Sequence, residues 1–249
     1  MIEFRNVTYR YPEGSRQVLD GLSFRIPDEG ITAIMGANGS GKSTAALCMN
    51  GILLPDSGSV VVDGTVTGEV SNHAAVRRTV GIVFQNPNHQ FTSLTVEREL
   101  AFGLENAGTD YDEMKERVDE CLRLFELEDY RTLLPASLSG GEKQRVALAA
   151  VAILEPKYLV LDEATSLLSP LTRKTILRLV ALNAAKTRSA VVLITQFPGE
   201  AMLADRLMVF NAGSLGREGV PGMLLRKVDD LRSFGIQVPL SARLERHEH

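Results

Sequence analysis

Residues 31–43 read ITAIMGANGSGKS, and this stretch decides the fold of the chain. The apolar run 31–35 predicts a buried strand, and the pattern becomes helical from Lys42 onward. Between them, Gly36 to Ser43 fit the pattern Gly-x-x-x-x-Gly-Lys-Ser/Thr at every fixed position. A strand, a glycine-rich loop and a helix in this order predict a phosphate-binding loop, whereas an ordinary flexible turn would not need that context.

The residue types of this loop suit a nucleoside triphosphate. Glycines allow a tight turn whose N–H groups point at phosphate oxygens, and the following helix presents its positive end to them. Lys42 is expected to reach the β and γ phosphates, and Ser43 Oγ to ligate Mg²⁺. We therefore predict ATP and Mg²⁺ as cofactors, held by Gly36, Asn38, Gly39, Ser40, Gly41, Lys42, Ser43 and Thr44.

Composition limits the classes of partner. The 249 residues include 27 Lys plus Arg and 31 Asp plus Glu, a net charge of −4, so the basic footprint of a nucleic-acid-binding protein is missing. The two cysteines, Cys48 and Cys121, are far apart and are expected to be reduced thiols without a metal. The opening residues MIEFRNVTY do not resemble a secretory signal, and no apolar run reaches the ~18 residues of a spanning helix. We expect any membrane role to depend on other subunits.

The rest of the chain predicts an α/β fold in one domain, residues 1–249. Strands are expected at 2–4, 7–9, 18–26, 31–35, 59–62, 80–84, 158–161, 190–194 and 207–210, and helices from 42 towards 54, at 171–185 and at 199–204. Strands that alternate with helices predict a mainly parallel core sheet covered on both faces, after an antiparallel N-terminal β region. Residues 86–140 are expected to form an inserted helical subdomain, and residues 221–249 a small helical tail.

A second motif is the apolar run 158–161 followed by Asp162 and Glu163. A buried strand would deliver both carboxylates to the carboxyl edge of the sheet, where open α/β sheets bind their ligands. We expect Asp162 to hold Mg²⁺ and Glu163 to polarise the attacking water. Two acidic residues can also mark the start of a helix, but their position after a phosphate loop favours the catalytic interpretation.

Residues 138–145, LSGGEKQR, match the signature sequence of ABC ATPases, so the chain resembles this branch of the P-loop NTPases. The resemblance implies that two such domains stack head to tail, with each nucleotide between one subunit's phosphate loop and the other's signature. Ser139, Gly140 and Gly141 at a helix N-terminus would form that second anion-binding site. A dimer is therefore expected.

The resemblance assigns further roles. Tyr11 is similar to the aromatic residue that stacks on adenine, although a core or edge-strand tyrosine is the alternative. Gln85 is similar to the glutamine that touches Mg²⁺ and the attacking water, with a solvated loop residue as the alternative. Residues 85–91, 95–97, 101–104, 162–166 and 231–236 resemble the ATPases of energy-coupling-factor importers. This group implies a transmembrane coupling protein, a substrate-binding membrane subunit, a place at the cytoplasmic face of the membrane, and uptake of a vitamin or a cobalt or nickel ion.

Two positions depart from the family pattern. Gln196 stands where the family has a histidine that contacts the γ-phosphate, and glutamine can donate a hydrogen bond but cannot become a cation. Ser169 stands where an aspartate contacts the partner's site, so a charge-assisted bond is lost. Both changes favour a heterodimer with a complete second ATPase over a homodimer.

Other functions stay open at this stage. They are a hydrolysis-impaired regulatory clamp, an ABC importer outside the energy-coupling-factor group, and a soluble ABC ATPase acting on ribosomes or DNA, which the single cassette disfavours. The histidines are expected to be solvated rather than catalytic; they are His73, His89, His247 and His249.

Overall fold

The computed structural model describes residues 1–12, 16–226 and 235–236 of the chain. The chain divides into two compact units, one formed by Met1–Val80 with Ala190–His249 and the other by Gly81–Ser189. Among the described residues, Met1–Arg10 and the strands around the phosphate loop belong to the first unit. The tail helices expected beyond residue 226 and most of the turn at residues 12–14 lie outside the described residues.

An antiparallel sheet opens the first unit. Its strands are β1 (Ile2–Arg10), β2 (Gln17–Ile26), β4 (Ser57–Val62) and β5 (Thr65–Val66), in the order β2-β1-β4-β5. The two short strands expected at 2–4 and 7–9 are one strand with irregular register after Phe4, where Asn6 has a φ of 52°. Such a bulge interrupts the alternation of buried side chains without ending the strand. The predicted antiparallel region is therefore confirmed.

The core sheet of the first unit contains β3 (Ile31–Gly36), β8 (Ala190–Ile194), β9 (Arg206–Asn211) and β10 (Ser214–Gly219). β3 lies between β8 and β9 and is parallel to both, and β10 is an antiparallel edge strand next to β9. β3 and β8 are almost continuously buried, as is usual for parallel strands covered on both faces. The mainly parallel core is confirmed, while β10 was not predicted because its sequence, SLGREG, has little β-propensity.

The helices of the first unit are α1 (Lys42–Met49), α2 (His73–Thr79), α7 (Pro198–Ala201) and α8 (Pro221–Leu224), with a 3-10 helix at Val70–Asn72. α1 ends earlier than the apolar pattern suggested, because Gly51 has a φ of 71° and the helix cannot continue through it. α2 was not predicted. His73 was expected to be solvated but is half-buried, and its Nε2 atom is buried without a hydrogen-bond partner among the described residues.

The second unit holds β6 (Val80–Val83), which begins at the unit boundary, and β7 (Tyr158–Asp162), which are hydrogen-bonded neighbours. Its helices are α3 (Val96–Ala107), α4 (Tyr111–Leu124), α5 (Gly140–Ala152) and α6 (Pro170–Thr187), with 3-10 helices at Pro87–His89, Glu128–Tyr130 and Pro135–Ser137. α3 packs on α4 and on α5. Helical elements thus occupy residues 86–140, whereas the division into one domain with an inserted subdomain remains a prediction.

Both cysteines are buried free thiols, Cys48 in the first unit and Cys121 in the second. Burial raises the pKa of each thiol to about 12. The thiolate is the form that attacks electrophiles and binds metals, so neither side chain has that chemistry at neutral pH. This agrees with the prediction of two reduced thiols.

Candidate functional site

The phosphate loop joins β3 to α1 in the first unit. β3 is hydrogen-bonded to β8 on one side and to β9 on the other, so the loop that begins at Gly36 starts from a fixed strand end. Gly41 precedes α1 with a φ of 100°, and a Cβ there would lie 2.7 Å from Leu19 Cδ2. Only glycine suits that conformation and that close approach. A Cβ on Gly39 would meet nothing within 4 Å, so this side of the loop is open to a ligand.

Lys42 is held over the loop. It is 5% exposed, and its Nζ donates to the carbonyl oxygens of Gly36 and Ala37 at 2.9 and 3.0 Å. An ammonium group placed among backbone carbonyls at a helix N-terminus can exchange them for phosphate oxygens with little movement. The loop, the open face at Gly39 and the buried cation together fit a bound phosphate chain.

Two further hydroxyl groups of the loop region bear on the fit. Ser40 Oγ is buried and lacks a hydrogen-bond partner within the described part of the chain. Tyr11 Oη lies 3.2 Å from Thr44 Oγ1, which places the tyrosine beside the first turn of α1. Tyr11 is 40% exposed, and its ring packs edge-to-face with that of Tyr9, with the ring centroids 5.0 Å apart. A partly exposed aromatic ring can receive a flat base.

Gln196 lies beside the same loop. It follows β8, and its segment is pinned by Thr195, whose N–H bonds to Ile34 O at 3.1 Å and whose hydroxyl lies 2.5 Å from the buried Glu200 carboxylate. A cavity of about 230 Å³ separates Gln196 from the start of the phosphate loop. Its lining comprises Met35, Gly36, Ala37, Asn38, Gln196, Gly235 and Ile236. The structure thus brings Gln196, Tyr11 and the loop residues Gly36 to Thr44 together in one unit.

The two carboxylates lie in the second unit, at the end of β7. All five residues of β7 are buried, and Asp162 remains 8% exposed at its carboxyl end. Glu163 is half-buried and has a φ of 50°, which is uncommon for a residue with a side chain. Its carbonyl oxygen accepts from Ser166 N–H at 2.9 Å, so the chain turns sharply after the strand.

Gln85 follows β6 in the same unit and meets the loop after the carboxylates. Its side-chain amide donates to Ser166 Oγ at 3.0 Å. Two glutamines fix the backbone just before it: Gln90 accepts from Phe84 N–H at 3.1 Å, and Gln144 donates to Phe84 O at 3.2 Å. Sequence reasoning missed both positioning residues. The sequence signal that could have identified one of them is the position of Gln144 on the apolar face of a helix. In the structure Gln144 is 2% exposed.

The signature segment begins α5. Glu142 accepts from Ser139 N–H at 2.7 Å. The hydrogen bond from the Ser139 side chain, followed by those from its N–H and from Tyr130, lowers the pKa of Glu142 below its usual 4.5. In return, Glu142 raises the pKa of the Tyr130 hydroxyl. A charged Glu142 therefore holds Ser139 at the N-terminus of the helix.

The two signature glycines differ in their surroundings. A Cβ on Gly140 would meet nothing within 4 Å, whereas a Cβ on Gly141 would lie 2.8 Å from Thr172 Cγ2. Thr172 is in the first turn of α6, whose N-cap is Ser169; Ser169 Oγ lies 2.9 Å from Thr172 Oγ1 and accepts from Thr172 N–H at 3.3 Å. Ser169 therefore has a capping role that an aspartate could also perform.

Membrane-spanning helices and clusters of metal-binding side chains are two features absent from the described residues. No helix in that part of the chain has both the length and the apolar character required to cross a membrane. Nor do those residues include a cluster of three or more His, Cys, Asp or Glu side chains able to hold a metal ion.

A family model described as ABC transporter matches residues 19–166, from β2 to the loop after the two carboxylates. The chain belongs to the ABC transporter family. This ABC ATPase is 43% identical over 244 residues to the energy-coupling factor transporter ATP-binding protein EcfA1 of Oceanobacillus iheyensis, covering 98% of this chain and 87% of that protein. It is 40% identical to the EcfA1 protein of Ligilactobacillus salivarius over 246 residues, with coverages of 99% and 87%.

Solved structures agree with this assignment. CbiO1 of Clostridium perfringens, described as part of the ABC transporter complex cbiONQ, superposes with a TM-score of 0.84 at 30% identity, covering 98% of both chains. The ATP-binding cassette MJ0796, solved as a dimer after hydrolysis with ADP and Pi, gives a TM-score of 0.79 at 29% identity, covering 89% of this chain and 99% of that one. The predicted P-loop ABC fold, the resemblance to energy-coupling-factor ATPases and the ATPase activity are thereby confirmed.

Proposed function

We propose that this ATPase binds ATP with Mg²⁺ at the loop Gly36 to Thr44 and hydrolyses it. The observation that carries the proposal is the Lys42 ammonium, buried and held on the carbonyls of Gly36 and Ala37 beside an open glycine-rich loop. In the proposed complex this cation pairs with the β and γ phosphates, and the N–H groups at the start of α1 donate to them. Tyr11 stacks on the adenine.

The proposed magnesium ligands are Ser43 Oγ and Gln85, with Asp162 acting on the ion's coordination shell. When bound, Mg²⁺ would neutralise charge on the β and γ phosphate oxygens. Glu163 orients and polarises the attacking water, because a carboxylate within hydrogen-bond reach of water can accept its proton as the oxygen attacks. The hydrogen bond from Gln85 to Ser166 links Gln85 to the loop that follows Glu163.

A second ATPase completes the proposed site. Ser139, Gly140 and Gly141 at the N-terminus of α5 would bind the γ-phosphate held by the partner subunit, as the positive end of a helix favours an anion. The open surroundings of Gly140 leave room for that phosphate. A dimeric arrangement is supported by the neighbour MJ0796, which was solved as a dimer.

The dimer is proposed to act on a transmembrane coupling protein and a substrate-binding membrane subunit at the cytoplasmic face of the membrane. The names of the relatives, energy-coupling factor transporter ATP-binding proteins, and the cbiONQ complex support this assembly. The cargo is proposed to be a vitamin or a transition-metal ion such as cobalt or nickel. Nucleic acid is not a proposed partner.

We further propose that the partner is a different ATPase subunit. Gln196 offers an amide where an imidazole could carry charge or shuttle a proton, so the site on this chain's own loop should bind ATP and turn it over slowly. Ser169 is neutral and is engaged with Thr172. A second subunit with the usual histidine and aspartate would restore one fast site.

The test is turnover of the purified chain alone and with its candidate ATPase partner and membrane subunits. We expect slow hydrolysis by the chain alone, at least about tenfold faster hydrolysis in the complex, and loss of the slow turnover of the isolated chain when Glu163→Gln is introduced. Gln196→His should raise turnover of the isolated chain. Fast hydrolysis by the chain alone would refute the heterodimer.

A hydrolysis-impaired regulatory clamp is the second candidate, favoured by the same glutamine. In that case the chain alone would bind ATP without turnover, so Glu163→Gln would change neither its turnover nor that of the complex, while Lys42→Ala would still abolish ATP binding. Glu163→Gln measured in the isolated chain therefore separates a slow ATPase from a clamp.

A further inference from the structure

The described part of the C-terminal segment, Gly235 and Ile236, lies against the phosphate loop. Gly235 has a φ of 67°, and a Cβ there would be 3.0 Å from Ala37 Cβ and 3.8 Å from Ala37 Cα. A side chain at residue 235 would therefore have to displace the second residue of the loop. The loop motif explains the glycines at 36 and 41, but it does not account for a glycine about 200 residues later in the chain.

Ile236 anchors this contact in the core. It is 6% exposed and belongs to a hydrophobic cluster with residues of β3, α7, β9 and α8, namely Ala33, Met35, Ala201, Leu207, Val209 and Leu225. Met35 is the residue immediately before Gly36. An aliphatic side chain packed in this cluster is fixed to the same strand that carries the phosphate loop.

The two tail residues also form part of the wall of the cavity beside Gln196. The cavity has a volume of about 230 Å³, and Ala37, Asn38, Gln196, Gly235 and Ile236 contribute to its lining. Since a water molecule takes about 30 Å³ of liquid volume, the space can admit a phosphoryl group together with water. Its walls are a buried apolar side chain on one side and the Gln196 amide on another.

We propose that Gly235 and Ile236 are positioning residues that set the conformation of Ala37 and Asn38 and shape the cavity for the terminal phosphate of a nucleoside triphosphate. The tail would thereby determine how strongly the site prefers a triphosphate to a diphosphate. This inference rests on the proposed role of Gln196 at the γ-phosphate. It predicts an effect on triphosphate affinity that loss of core packing alone does not produce.

The first experiment compares Ile236→Ala with Leu225→Ala in the full chain. Both substitutions shorten a buried side chain of the same cluster, but Leu225 does not line the cavity. Dissociation constants for ADP and for a non-hydrolysable ATP analogue are measured by calorimetry with Mg²⁺, together with thermal unfolding. Displacement of a binding group by about 1 Å can cost up to about 10²-fold in function, and we expect about tenfold weaker triphosphate binding for Ile236→Ala with ADP binding changed by less than about twofold.

Leu225→Ala should lower the unfolding temperature but leave both dissociation constants unchanged, and Ile236→Val should recover most of the triphosphate affinity. Equal losses for ADP and the triphosphate analogue, or equal behaviour of the two alanine variants, would overturn the proposal.

The second experiment places a methyl group at the contact itself. Gly235→Ala combines an unfavourable φ with a Cβ against Ala37, whereas Gly64→Ala, in the turn between β4 and β5, has a φ of 85° and no atom within 4 Å of the new Cβ. The control therefore carries the backbone strain without the contact. Only Gly235→Ala should weaken triphosphate binding, and the same loss in Gly64→Ala would contradict the proposal.

Gln196→Ala separates this inference from the proposal on which it rests. If Gln196→Ala leaves triphosphate affinity unchanged, the γ-phosphate does not lie beside Gln196 and both proposals fail. If Gln196→Ala weakens triphosphate binding and Ile236→Ala does not, the tail has no positioning role, while the proposed site stands.

Discussion

The two adjacent glycines of the signature allow stability and function to be separated. In Gly141→Ala the new Cβ would lie 2.8 Å from Thr172 Cγ2, whereas two carbons prefer about 3.5–4.0 Å. Overpacking of this kind costs about 1–3 kcal/mol, partly offset by the roughly 0.5–1 kcal/mol by which alanine is the better helix former. Gly140→Ala has the same helix gain and no contact within 4 Å. We therefore expect Gly141→Ala to be less stable than Gly140→Ala by about 1–3 kcal/mol.

The matched rescue is Thr172→Ser, which removes Cγ2 but keeps the hydroxyl that bonds to Ser169. In urea unfolding of the single and double variants, Gly141→Ala and Thr172→Ser should show a favourable coupling of about 1–2 kcal/mol, since contacting residues are not additive. Thr172→Ser combined with Gly140→Ala should show none. Equal stability of the two glycine variants, or the absence of coupling, would refute the steric argument.

For ATP turnover we expect the larger loss in the more stable variant. Gly140→Ala leaves the stability of the protein unchanged but places a methyl group in the open space proposed for the partner's phosphate, so ATP turnover of the assembled complex should fall by about 10²-fold. Wild-type turnover in this variant would contradict the proposed role of the signature amides.

Two further predictions concern residues of the second unit. Gln144→Leu leaves the Phe84 carbonyl without its side-chain donor, so the free energy of unfolding should drop by about 1–3 kcal/mol. ATP turnover should also decrease, because the backbone before Gln85 is no longer fixed. A variant with unchanged stability and turnover would argue against this positioning role. Since hydrogen bonds lower the pKa of Glu142 from its usual 4.5, its stabilising effect is present above that pH and is lost as the pH falls through the folded-state value. Glu142→Gln should therefore be less stable than the wild type at neutral pH, and the difference, measured by denaturant unfolding, should vanish in acid; a constant difference would contradict the linkage.

Local patterns in the sequence were sufficient for the core elements. The run before Gly36 and the run before Asp162 are short and apolar, and strands buried on both faces have that pattern wherever they lie in a sheet. Where the pattern was interrupted by backbone geometry, as at Asn6 or Gly51, predicted boundaries were displaced. A residue with positive φ changes the chain direction without changing hydrophobicity.

For the site, the motif determines residue types and the tertiary structure determines neighbours. Lys42 is identified by its spacing from the glycines, since the chemistry of the loop is local in sequence. By contrast, Gln144 supports Phe84 from 60 residues away, and Thr172 limits the residue at 141 from the next helix. No local pattern encodes such a contact, because it depends on how separate helices and strands pack.

The sequence by itself determined that this chain has a phosphate loop, a strand ending in two carboxylates and an ABC signature, because each is a short run whose conformation follows from its own residues. Only the tertiary structure decided that Gly235 touches Ala37 and that Ile236 packs behind the strand that carries the loop. The physical reason is that close packing joins residues that are distant along the chain, and the identity of a buried partner is set by the fold as a whole.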